Sequence, residues 1–120
     1  MSNKVILGKN DIIFNIYQGD QTTTTVANVV SKTRNIIEIL RRKKQPVYIL
    51  ADLSKMGKSN FGSRLESVEA LKTMRYNKVA LFGANLFVKH LANFIIIASG
   101  RQNKIKYCNS KDEAIKWLLY

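Results

Sequence analysis

The spacing of apolar positions changes several times along this chain, and each change predicts a new element. Ile12, Phe14 and Ile16 alternate with Ile13, Asn15 and Tyr17, and Lys4 to Gly8 precedes them across a turn at Gly8-Lys9-Asn10. Period-two alternation predicts two strands joined as a hairpin. After a turn-like Gln18 to Gln21, the residues Val26, Val29, Val30, Thr33, Ile36, Ile37 and Leu40 recur at steps of three and four. That spacing predicts a long amphipathic helix, capped by one of the threonines Thr22 to Thr25. Gln45-Pro46 stops it, because proline disfavours helical backbone in the residue before it.

Val47 to Leu53 and the KVALF run within Asn77 to Phe82 are apolar with little alternation. Such runs suit strands covered on both faces, as in a parallel sheet. Between them lie a polar loop, Ser54 to Asn60, and a second helix whose apolar positions are Phe61, Leu65, Val68, Leu71 and Met74. Asn85 is placed to cap a third helix from Leu86 to about Ala98, apolar almost all round over Phe94 to Ala98. Lys104 to Cys108 reads as a short last strand. Ser110 with Glu113 then makes a capping box for a final helix that packs through Ala114, Ile115, Trp117 and Leu118. The order β-β-α-β-α-β-α-β-α predicts one α/β domain over residues 1–120. Its sheet is mixed and mostly parallel, with an N-terminal antiparallel hairpin and about four helices.

Composition changes this picture little. At 120 residues, 46% apolar and 23% charged, the chain can bury a core without staples. A single cysteine, Cys108, excludes an internal disulfide, and MSNKVILGKND carries no apolar leader pattern, so the expected location is cytoplasmic. The net charge of +12 is unusual. The 20 Lys and Arg residues are nevertheless dispersed, with one run, Arg41 to Lys44, at a helix end where cations complement the dipole. A solvated basic face is the leading expectation. An acidic protein, an acidic membrane surface or a nucleic acid are the partners such charge would otherwise suit, and they are not favoured.

Candidate chemistry is sparse. Gly57-Lys58-Ser59 looks like the end of a phosphate-binding loop, but Asp52 stands where that motif needs its first glycine. Asp52 is a lone carboxylate, expected to bond loop amides. His90 and Cys108 have no partners at catalytic or metal-ligand spacing. The expectation is a non-enzymatic protein without cofactor or metal. Ser59 and Ser63, near a helix start with Lys55, Lys58 and Arg64, are candidate phosphate acceptors, set against simple capping by Ser59 or Asn60. On the third helix, Phe87, Leu91, Phe94 and Ile95 exceed what one buried face needs. They fit core packing, a dimer or partner interface, or a lid over an apolar pocket.

The succession YILADLSKMG, helix, KVALFGAN, helix and IKYCNSKDEAIKWL resembles the SpoIIAA-like branch of the STAS fold, over Asp11 to Tyr120. Its most telling residues are Ala51 to Ser54, Tyr107, Asp112-Glu113-Ala114 and Trp117-Leu118. The resemblance implies a regulatory module that docks a partner protein, with a serine phosphorylated by a kinase in the turn after Asp-Leu-Ser. This chain lacks the Asp-Ser pair of that turn, and Ser59 and Ser63 lie only in its region. The fold's likeness to CRAL-TRIO lipid-transfer domains implies an apolar ligand instead. The expected function is thus an interaction module docking a protein through Asp52, Ser54, Lys58, Ser59, Ser63 and Arg64. A homodimer, a carrier of a lipid or apolar small molecule gated by the third helix, and weak nucleic-acid binding are the alternatives.

Overall fold

The computed structural model describes residues 2–120. Strands β1 (Lys4–Leu7) and β2 (Ile12–Gln21) form the antiparallel hairpin, closed by one 3-10 turn over Lys9–Asp11. That turn holds Asn10 and Asp11 at φ 61° and 57°, a left-handed backbone that short polar side chains tolerate best. Helix α1 (Thr23–Arg42) follows, and the threonine run explains its start. The Thr22 hydroxyl accepts the Thr25 amide at 3.3 Å, while the Thr25 hydroxyl accepts the Thr22 amide at 2.9 Å. Two otherwise orphaned donors are satisfied by one reciprocal pair.

Then come β3 (Tyr48–Ser59), α2 (Phe61–Thr73), β4 (Lys78–Phe82), α3 (Leu86–Ser99), β5 (Ile105–Tyr107) and α4 (Lys111–Leu119). The sheet order is β1-β2-β3-β4-β5, parallel from β2 onward. Each crossover steps one strand in the same direction, and crossovers of one hand therefore put α1, α2 and α3 on a single face. Ile13, Ile49, Val79 and Ile105 pack against those helices. Ile12, Leu50 and Ala80 point the other way and are covered by Ala114 and Leu118 of α4. Since both faces are covered there, Ile49 to Ala51 and Val79 to Phe82 are apolar without a break.

Four expectations are corrected. Gln18 to Gln21 is no turn and Ser54 to Ser59 is no loop: the two segments pair in parallel, Gln18 with Lys55 and Gln21 with Ser59. Strand β4 reaches only as far as Asp52, so this extension is a two-stranded ribbon with solvent beside it, and polar residues suffice there. Two register shifts bend it, and the Lys58 amide donates to Asp20 at 2.8 Å. The first turns of helix α2 face away from their expected side. Phe61 and Leu65 are 71% and 51% exposed, whereas Ser63 and Ala70 are buried; Leu71 and Met74 pack against the core as expected. The Asn60 side chain, accepting the Ser63 amide at 2.8 Å, sets the start of the helix and hence that rotation. At α4 only half of the capping box forms. Ser110 accepts the Glu113 amide, but the Glu113 carboxylate accepts from Asn109, one residue before the cap.

Candidate functional site

The rotation of α2 has a consequence for packing. Facing the sheet it presents Ser63, Ser67 and Ala70, side chains too small to fill the space between α1, α2, α3 and the strands. A cavity of about 110 Å³ remains, partly open to solvent and overwhelmingly apolar. Val26 and Val30 of α1, Ala51 and Leu53 of β3, and Leu91 and Ile95 of α3 contribute walls. Interiors normally leave few voids larger than a water molecule, so a gap of this size is a departure from ordinary packing.

A few polar groups enter this apolar space. Asn15 is 5% exposed, and its side-chain oxygen accepts the Thr33 hydroxyl at 3.0 Å. The Asn15 nitrogen and the Tyr17 hydroxyl have no partner among the described residues. No fully enclosed side-chain nitrogen or oxygen there lacks one, so both groups open onto accessible space, and both residues line the cavity. Arg64 lines it too, held from one side: its Nε donates to the Ser59 hydroxyl at 3.0 Å and its Nη2 to the Ser59 carbonyl at 2.9 Å. No carboxylate lies at ion-pair distance from it among the described residues. The ion pair that does form, Glu38 with Arg42, is exposed on α1. Gln21, also at the wall, is satisfied by Asn3, Thr25 and the Gln18 and Gly19 carbonyls.

Burial pushes the Tyr17 phenol up from 10.0 to about 12. Below pH 10 it is neutral whether the chain is folded or not. Between 10 and about 12 the unfolded chain releases the proton that the folded chain retains, so stability falls as pH rises through that window. Tyr17→Phe is expected to flatten that fall. Urea unfolding on either side of pH 10 measures it, and an unchanged slope in the variant would refute the assignment.

The residues singled out from sequence are thus divided. Ser59, Ser63, Arg64, Leu91 and Ile95 meet at the cavity. Phe87 and Phe94 do not: they are 65% and 69% exposed on the outer side of α3. Ser63 is 2% exposed, with its hydroxyl donating to the Asn60 carbonyl at 2.7 Å, and so offers an enzyme no approach while α2 stays folded. Asp52 lies outside the cavity, accepting the Ser54 amide at 2.9 Å and the Ser54 hydroxyl at 2.7 Å. Lys58 is exposed in the ribbon, where extended backbone replaces the wrapped loop a phosphate site needs. Asn15, Tyr17 and Thr33 were missed. Their signal was a polar group interrupting an otherwise apolar strand face or helix stripe.

Elsewhere the chemistry is quiet. Burial, and secondarily Glu113, hold the Cys108 thiol above its usual range against an opposing pull from Lys106, which makes it a poor nucleophile. His90 is exposed on α3. Among the described residues no group of three or more His, Cys, Asp or Glu side chains is placed to hold a metal, and no helix is long and apolar enough to cross a membrane. Part of the excess positive charge is structural. Lys78, Lys89, Arg101 and Lys111 stand over the rings of Trp117, Tyr107, Tyr76 and Phe14, at 5.1 to 6.0 Å from the ring centres.

Comparison with known proteins agrees with this architecture. An uncharacterised protein of the DUF3478 family from Shewanella loihica PV-4, with a SpoIIAA-like fold, superposes with a TM-score of 0.63 at 13% identity, covering 98% of this chain and 92% of that one. The anti-sigma factor antagonist SpoIIAA in its unphosphorylated form gives 0.62 at 10% identity and 98% coverage of both chains. No curated protein matches the sequence. The SpoIIAA-like family matches residues 12–119. With the mixed sheet, the hairpin edge and the four helices in place, this chain belongs to the SpoIIAA-like family.

Proposed function

We propose that this protein is a non-enzymatic binding module that takes up a small apolar molecule in the cavity beneath α2. The observation that carries this reading is the cavity itself. It measures about 110 Å³, its walls are apolar, and it is kept open by the small inward side chains of α2. For scale, an engineered apolar cavity of roughly 150 Å³ stays dry and admits benzene. Burial of apolar ligand surface contributes about 25 cal/mol per Å². Helix α2 buries few large side chains, so it is the wall that yields most easily to a guest. Native mass spectrometry of the protein purified from its own host tests the proposal. The expected result is a bound mass on the order of one hundred daltons, the size such a cavity admits, that leaves on denaturation. A clean apo mass, together with no change in melting when an apolar probe such as 1-octanol is added, would overturn it.

A second reading is docking of a partner protein, as the family's anti-sigma factor antagonist suggests. Its supporting observation is the exposed apolar set Phe61, Leu65, Phe87, Phe94 and Ile97 on α2 and α3. Under this reading Ser59 is the better-placed phosphate acceptor of the two serines, being half-buried and beside Arg64.

A further inference from the structure

We infer that the ligand of this cavity is an apolar molecule carrying one carboxylate, its head held by Arg64 and met by Tyr17, and its tail lying among Leu53, Leu91 and Ile95. The inference rests on the cavity being a binding site. It adds the chemistry of the occupant.

Donors at the cavity wall have capacity to spare. A guanidinium carries five N–H donors. Ser59 engages the Nε and Nη2 side of Arg64, through its hydroxyl and its carbonyl, and leaves the rest of the fork uncommitted. Asn15 takes no part in the head group: it pairs with Ala51, whereas Arg64 is bound to Ser59, roughly 20 Å further along the ribbon. The Tyr17 phenol stays protonated at ordinary pH and can donate. Arg64 and Tyr17 line one cavity, and each can still donate a hydrogen bond. Water reaches these donors through the open side of the cavity, and an acceptor on the ligand must replace it when the ligand enters. The occupant that suits both is rich in acceptors and has no donor of its own in the head.

Charge selects further among acceptors. Arg64 has no counter-ion among the described residues, and the chain as a whole stands at +12, so an anion is favoured over a neutral carbonyl. A carboxylate offers two oxygens in the plane of the guanidinium fork, in the bidentate geometry that arginine recognises. The walls beyond the head are apolar, and a second charged group would have no partner there. An amine is excluded by Arg64. An alcohol gains the hydrophobic contacts but leaves the cation unpaired.

Calorimetric titration of octanoate, 1-octanol and octylamine into the wild type, Arg64→Gln and Tyr17→Phe tests this. Octanoate is expected to bind at least about tenfold more tightly than octanol, with octylamine weakest, since hydrogen bonds to a charged group are the stronger ones. Arg64→Gln is expected to bring octanoate down to the octanol level. Tyr17→Phe, which keeps the ring and the packing, is expected to weaken octanoate several-fold and octanol hardly at all. If Arg64→Gln does not fold, the Tyr17→Phe comparison stands alone as the test. Octanoate binding no better than octanol, or variants that weaken both equally, would overturn the head-group assignment while leaving the cavity as a site. If the wild type binds neither, the cavity reading falls and this inference with it.

Discussion

Leu50→Ala is expected to lower the unfolding free energy by about 3 kcal/mol, near the middle of the 2–5 kcal/mol range for such truncations in well-packed interiors. Leu50 is fully buried and lies in the centre of β3, with Phe14 of β2 and Ala80 of β4 beside it in register. Its side chain points at α4, against a cluster that includes Ala114 and Leu118. Strands flank it on both sides, so the backbone cannot collapse into the space left by the missing methyl groups. The cost should approach the full sum of lost burial and new cavity. For a domain of this size that corresponds to a fall in melting temperature of roughly 10 °C. Urea and thermal unfolding of the two proteins measure it. A loss below about 1 kcal/mol would mean that α4 does not seal this face as described.

Ala70→Leu acts on the opposite face and in the opposite sense. Ala70 is 3% exposed, lies on the sheet side of α2 and lines the cavity, so an isobutyl group placed there occupies the volume reserved for a guest. Uptake of 1-octanol or octanoate is expected to fall below detection by calorimetry. Stability should move little, because filling a void and overpacking its walls oppose one another, the latter costing about 1–3 kcal/mol when no void is present. Retained binding at wild-type affinity would show that ligands enter elsewhere, the exposed face of α2 and α3 being the next place to look.

Much of this structure was legible from periodicity because local and tertiary demands agree. Val26, Val30, Ile37 and Leu40 form one stripe on α1, and that stripe is buried. The unalternated VYILAD and KVALF runs belong to strands with helices on both sides. Asn85 caps α3 as its type suggests, accepting the Val88 amide at 2.9 Å. Legibility failed where partners, not propensity, decide. The β2–β3 extension carries Gly19, Asp20, Gly57 and Lys58, all turn-forming or polar, yet it is extended because each strand supplies the other's hydrogen bonds. On α2 the apolar residues Phe61 and Leu65 promised the buried face, but the capped start turned serines and alanine inward. The candidate site suffered most from this, since a cavity is a property of what side chains fail to fill. Polar residues such as Asn15 and Thr33 carry meaning only once the space beside them is known.

The strand order, which follows the order of the chain without a single inserted strand, bears on how the protein is made. Every strand pairs with its predecessor, so each α/β unit emerging from the ribosome finds its template already present. Loop-closure entropy is met in small steps, the circumstance that favours fast folding without long-lived open edges. The face covered by α4 is the exception. Ile12, Leu50 and Ala80 await a helix that follows all five strands, and until it docks the nascent sheet presents a greasy surface on one side. Chaperone dependence during synthesis should therefore track the arrival of α4, not the assembly of the sheet.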